Sequence, residues 1–192
     1  LQLLKEKNNL IKEQLKKIET GIVTKLDTSE NRAKLIYLGI GSNLGNRKNN
    51  IEKAKFELLQ KNIFILTESN IYETLSWPNK KNPKFLNIVL KVSTRLSPLK
   101  LLDICKKIET ILGRKKSIKN SPRVCDIDII DYNNRKININ LVLPHPRMHK
   151  RSFVLLPLFE INKRWMHPVF KNHIKKLILL LPNRDIRSIK KI

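Results

Sequence analysis

"VCDIDIIDY", residues 124–132, alternates apolar and acidic side chains, and a period of two is that of a strand with unlike faces. Cys125, Ile127 and Ile129 fall on one face, Asp126 and Asp128 on the other. Asp131 lies at odd spacing from that pair and is expected on the opposite side, near the strand's end. Working upstream, "SPLKLLDICKKIETILG" (97–113) is predicted as a helix, with Ser97 as N-cap, Pro98 in the first turn and Gly113 as the stop. "FLNIVLKVST" (85–94) and "IFILTESNIYET" (63–74) are each expected to form one strand, separated by the polar loop "LSWPNKKNPK". "LIYLGIGS" (35–42) is a strand entering a glycine turn. "NLGNR" then opens a helix over about 47–61, with Ile51, Ala54, Leu58 and Leu59 as its apolar stripe.

The order is β-α-β-β-α-β. It predicts an α+β, ferredoxin-like core: one antiparallel sheet with two helices on one face and the other face free for a ligand or a later segment. Leu4, Ile11, Leu15, Ile18 and Ile22 form a helical stripe at the N-terminus, and "TGIVTKLDTSENRAK" reads as a linker. Residues 1–34 are therefore expected to be a helical extension with its linker, and residues 35–192 the principal domain with C-terminal elements after the sheet.

At 192 residues and 41% hydrophobic, the chain fits one domain plus an appendage. The longest apolar run, "LILLL" at 177–181, is far short of a bilayer span, so no membrane association is expected. The start lacks a signal-peptide pattern and a methionine, as a fragment or a processed form would. Cys105 and Cys125 are too few for a disulfide framework and read as buried, reduced thiols, which points to the cytoplasm. A net charge of +24 calls for an anionic partner, nucleic acid or polyphosphate, although the lysines are scattered.

Within so basic a chain, Asp126 and Asp128 repel each other unless a cation lies between them. Oxygen ligands in that setting suit Mg²⁺, which binds one or two carboxylates together with substrate phosphates. A solvated strand face with local salt bridges is the other reading of a lone D-x-D. Around the pair lie Arg114, Lys115, Lys116, Lys119 and Arg123 upstream and Arg147, Lys150 and Arg151 downstream. Two basic loops beside two carboxylates describe a clamp for polyphosphate and Mg²⁺. Neither a P-loop nor a kinase-type glycine loop is present.

The segments "LGIGSNLGNR", "YET", "PKFLN", "IETILGRKK", "SPRVCDIDII", "LPHPRMHKRSFVLLPLFEI" and "HPV" together resemble the 6-hydroxymethyl-7,8-dihydropterin pyrophosphokinases of folate synthesis, from about Leu35 onward. The resemblance implies transfer of pyrophosphate from ATP to the pterin's hydroxymethyl group, with AMP as the other product. It implies two Mg²⁺ ions at Asp126 and Asp128, and catalytic roles for Arg114, Lys116 and Arg123. It assigns ATP contacts to Glu109, Arg114, Arg123, His145 and Arg151. Pterin contacts fall to Thr74, Leu75, Phe85, Asn87 and Phe153, with Phe85 and Phe153 as the two stacking rings and Asn87 as the amide partner. A flat heteroaromatic needs such faces and such a partner. A fused or neighbouring folate-pathway domain upstream of residue 35 would account for the N-terminal segment. The chain departs from the family pattern at Lys116, where arginine is common, in "LSWPN" after "YET", and in a shorter loop before Pro122. Two rival readings are a paralogue that binds nucleotide without catalysis and a basic RNA-binding protein of the same strand order. The second lacks the aromatic strand that RNA recognition requires, so nucleic acid is not the expected partner.

Overall fold

The computed structural model describes residues 33–76, 79–115 and 121–192. The expected N-terminal helix, the linker up to residue 32, and Lys116 lie outside the described residues, while Lys34, expected to end the linker, already begins β1. Elements follow in the order β1 (Lys34–Ser42), α1 (Arg47–Gln60), β2 (Phe64–Glu68), β3 (Tyr72–Thr74), β4 (Phe85–Thr94), α2 (Pro98–Ile111) and β5 (Asp126–Tyr132). A 3₁₀ turn (Met148–Lys150), α3 (Ser152–Ile161), α4 (Ile174–Leu179), α5 (Asn183–Arg187) and β6 (Lys190–Lys191) complete the chain.

The sheet runs β5-β1-β4-β3-β6, with β2 also paired to β4, and its pairings are antiparallel. This is the expected ferredoxin-like arrangement, extended at one edge by β6. The anticipated single strand over 63–74 divides into β2 and β3. The division falls at buried Ser69, whose hydroxyl accepts the Val89 N–H at 3.0 Å and so takes a bond that a ladder partner would otherwise hold.

The helix starts are built as the sequence suggests. Asn46 accepts the Asn49 N–H at the head of α1, and Ser97 accepts the Lys100 N–H at the head of α2. Gly113, at φ +94°, ends α2 in the left-handed region where a side chain would be strained. Ile51, Ala54 and Leu58 from α1, with Leu101, Cys105 and Ile108 from α2, pack on one sheet face against Ile36, Leu38, Ile40, Ile127 and Ile129. Cys105 and Cys125 are both free and buried in this core, and burial pushes each thiol up to about 12. Among the described residues no helix is long and apolar enough to cross a membrane.

The other sheet face is shared. Val154, Leu155 and Leu158 of α3, Ile174 and Leu177 of α4 and Trp165 cover Tyr37, Val89 and Ile130. The neighbouring stretch of that face stays open, and there the candidate site lies.

One expectation fails on this face. The register between β1 and β5 shifts at Tyr37/Leu38, so that Tyr37 pairs with Asp131 and Leu38 with Ile129. Ile130 is the extra residue of a β-bulge. The bulge resets the alternation, so that Ile130 and Asp131 both turn to the α3 side. Asp131 is thus on the face it was expected to avoid, but it is buried there, accepting Trp165 Nε1–H at 2.8 Å and Asn134 N–H at 3.1 Å.

Candidate active site

Three strands supply the floor of a cavity of about 460 Å³. β1 contributes Gly39 and Gly41, β4 contributes Phe85 and Asn87, and β5 contributes Asp126 and Asp128. The register places Gly41 between Asn87 and Asp126, and Gly39 between Val89 and Asp128. The absence of side chains on β1 makes the cavity. A Cβ on Gly41 would meet Asn87 Oδ1 at 3.2 Å and Phe85 Cδ1 at 3.3 Å, inside ordinary contact.

Part of the lining is charged. Arg114 and Arg123 come from the segments between α2 and β5, and His145, Arg147 and Arg151 from the turn before α3. Arg114 Nη1 donates to Asp126 Oδ1 at 2.6 Å, and Arg123 Nε lies 3.4 Å from Asp126 Oδ2. Arg151 Nη1 donates to Asp128 Oδ2 at 3.2 Å, and His145 Nε2 is 3.8 Å from the same oxygen. The bulge helps here as well, because the Ile130 carbonyl accepts the His145 N–H at 2.8 Å. Burial lowers the His145 pKa; Arg151 and Arg147 push the same way, and Asp128 only partly opposes them. The balance favours the neutral ring. Burial also works against the Arg114 cation, but Asp126 and Glu109 outweigh it and raise its pKa. Arg123 Nε is buried and, although within ion-pair distance of Asp126, makes no hydrogen bond among the described residues, which leaves its donor capacity for a ligand.

Six cationic side chains line the cavity (Lys106, Arg114, Lys115, Arg123, Arg147 and Arg151) against the two carboxylates. Such an excess in a concave, partly dry site favours a multiply charged anion. Among the described residues no three His, Cys, Asp or Glu side chains converge as a self-contained metal cage. The two aspartates nonetheless suit a hard divalent cation whose other ligands are phosphate and water oxygens. They are hard-oxygen donors on one strand face, and both line the same cavity.

The rest of the lining includes aromatic and amide side chains. Phe85 and Phe153 both line the cavity, with the Arg123 guanidinium 5.6 Å from the Phe85 ring centre and Arg151 5.4 Å from that of Phe153. Cation–π contact at such a distance steadies both partners of each pair. Asn87 is buried and donates from Nδ2 to Thr74 Oγ1 at 2.9 Å, which leaves Oδ1 over Gly41. Thr74 and Leu75 complete this wall.

Of the residues singled out in the sequence, Thr74, Leu75, Phe85, Asn87, Arg114, Arg123, Asp126, Asp128, His145, Arg151 and Phe153 all line one cavity. Glu109 does not. It is 1% exposed, with Oε1 accepting from Ile127 N–H at 2.7 Å and Lys106 Nζ at 2.9 Å, while Oε2 lies 2.7 Å from Arg114 Nη1. It stands behind Arg114 and aims it. Sequence reasoning passed over Gly39, Gly41 and Lys106. The glycines had a readable signal, since two glycines in a strand mark close approach of something to the backbone. Lys106 had none beyond its spacing of three from Glu109.

The family profile described as 7,8-dihydro-6-hydroxymethylpterin-pyrophosphokinase matches residues 37–163. A 2-amino-4-hydroxy-6-hydroxymethyldihydropteridine pyrophosphokinase of Aquifex aeolicus is 41% identical over 142 residues, covering 73% of this chain and 88% of the relative. The folic acid synthesis protein FOL1 of Dictyostelium discoideum is 42% identical over 150 residues, 78% of this chain but only 23% of that protein. The chain thus spans about a quarter of the latter's length. The crystal structure of Plasmodium falciparum HPPK-DHPS wild type with pterin and p-hydroxybenzoate superposes with a TM-score of 0.65 at 18% identity, over 86% of this chain and 47% of that one. That likeness bears on the fold alone.

Proposed function

The chain belongs to the 7,8-dihydro-6-hydroxymethylpterin-pyrophosphokinase family, and from that premise we propose that it transfers the terminal pyrophosphate of ATP to the hydroxymethyl group of 6-hydroxymethyl-7,8-dihydropterin, releasing AMP. The observation that carries this reading is one cavity lined by two chemically distinct sets of side chains: carboxylates among arginines, and two aromatic rings with a buried carboxamide.

In this reading the triphosphate lies along Arg114, Arg123 and Arg151. Arginine suits the task because its planar fork can meet two phosphate oxygens at once. Arg123 Nε, buried and without a hydrogen bond among the described residues, is a donor of that kind. Asp126 and Asp128 would hold Mg²⁺, which supplies charge neutralisation on the phosphate oxygens. Until then the arginines neutralise the same carboxylates, so ligand binding exchanges one set of opposite charges for another. Neutral His145 donates or accepts one hydrogen bond without adding charge. Phe85 and Phe153 sandwich the pterin ring, and Asn87 Oδ1 accepts from its amide edge. The transfer needs alignment and electrostatic support more than covalent help, so no nucleophilic side chain is required.

Lys116 completes the phosphate grip in this proposal, and Glu109 contributes to nucleotide binding through Arg114 rather than by touching the nucleotide. The cytoplasm is the proposed compartment, on the strength of two free, buried cysteines. The 23% share of the Dictyostelium relative is what a module joined to other folate-pathway domains would give, and such a neighbour is the partner we propose for residues 1–34.

AMP release tests the whole reading. It should require ATP, the hydroxymethyl pterin and a divalent cation together, with pterin diphosphate formed in equal amount. AMP formed equally well without the pterin would refute it.

A further inference from the structure

Asn43 stands one residue beyond β1 and is 2% exposed. Its carboxamide joins three segments that are distant in the chain. Oδ1 accepts the Arg123 N–H at 2.6 Å, while Nδ2 donates to the Pro83 carbonyl at 3.1 Å and to the Ser76 hydroxyl at 3.3 Å. The Asn43 backbone N–H donates to the Arg123 carbonyl at 3.1 Å, so residues 43 and 123 are bonded in both directions. Ser76 Oγ in turn donates to the Pro83 carbonyl at 2.5 Å, closing a ring of three partners.

Each segment so joined carries part of the cavity wall. Leu75 precedes Ser76, Phe85 follows Pro83 by two residues, and Arg123 lines the cavity itself. Asn43 is outside that wall. The carboxamide is suited to the position, because a short planar group with one acceptor and two donors matches one N–H and two oxygens. Aspartate would set a carboxylate against two oxygens, and alanine would take the acceptor from the part-buried Arg123 N–H.

We propose that Asn43 is a positioning residue that fixes the Arg123 side of the cavity relative to the Leu75–Phe85 side. Two substrates held by different parts of the lining are thereby brought into register for transfer. The inference rests on the function proposed above. Each substrate keeps its own binding groups when Asn43 is lost, so affinity survives and alignment suffers.

The test is steady-state kinetics of Asn43→Ala, alone and combined with Arg123→Ala, in the full chain. Asn43→Ala is expected to lower kcat on the order of 100-fold, with KM for ATP and for the pterin within about 3-fold of wild type. Because the effect runs through Arg123, the same change in an Arg123→Ala background should cost less than about 3-fold. Equal losses in both backgrounds, or a kcat unchanged from wild type, would overturn the proposal. If Asn43→Ala does not fold, Ser76→Ala carries the test, since it removes the far end of the ring. A fall in kcat of roughly 5-fold at constant KM supports the proposal, and unchanged kcat overturns it. Wild-type protein without pterin-dependent AMP release would instead sink the functional reading, so the two failures are told apart.

Discussion

Asp131 gives the sharpest separation between site and scaffold. It is the third acid of "DIDIID", set by its odd spacing on the face away from the pair, yet the bulge turns it to their side, where it is 1% exposed and accepts from two neutral donors. Asp131→Asn keeps one carbonyl oxygen for either Trp165 Nε1–H or Asn134 N–H, and turns an amide N–H₂ toward the other. One unsatisfied buried donor costs about 1–3 kcal/mol. Burial raises the Asp131 pKa, so removing its charge recovers part of that cost. The net loss should be about 1–2 kcal/mol, or a Tm lower by roughly 2–8 °C for a domain of this size. Asp131→Ala strands both donors and leaves a void, for about 2–4 kcal/mol and roughly 4–16 °C.

The pH dependence has a definite sign. A carboxyl whose folded pKa lies above its unfolded value binds more protons when folded. Its contribution is greatest in acid and is lost as pH rises through the raised pKa. The advantage of wild type over Asp131→Asn should therefore be largest below the ordinary aspartate range and shrink toward neutrality. Thermal unfolding across pH reads this directly, and AMP release per folded molecule should stay within about 3-fold of wild type. Unchanged Tm with activity lost would refute the reasoning and assign Asp131 to the site.

Asp126→Asn and Asp128→Asn should behave oppositely, folding normally while AMP formation falls on the order of 1000-fold, because charge on the transferred group is no longer offset; circular dichroism beside the activity assay checks both halves. Chelation of divalent cations should abolish turnover yet move Tm by no more than about 2 °C, since Arg114, Arg123 and Arg151 already neutralise the two aspartates. Gly41→Ala should raise KM for the pterin about 10-fold, about 1.4 kcal/mol, and leave KM for ATP unchanged, because the new methyl presses on Asn87 and Phe85. Separate titrations of the two substrates would show it.

What the amino-acid order determined by itself is local. Alternation in residues 124–132 and 85–94, the stripe of Ile51, Ala54 and Leu58, and the Ser97 cap each depend on neighbours within a few residues, and they yield the βαββαβ order directly. Asp126 and Asp128 were legible as a pair for the same reason, since two residues along a strand must share a face. Tertiary structure alone decided the rest. The bulge at Ile130 arises from how β5 pairs with β1, and no property of "IID" foretells that it turns Asp131 inward to Trp165, 34 residues away. Ser69 splits the strand expected over 63–74 because Val89 lies opposite it. Glu109 enters the sequence reading as a nucleotide contact; in the fold its carboxylate is taken up by the Ile127 N–H and Arg114. Asn43 looks like a turn former until Ser76, Pro83 and Arg123, 33 to 80 residues distant, converge on its carboxamide. Periodicity reports which way a side chain faces; which partner meets it there depends on register and packing, and those are set by the whole sheet.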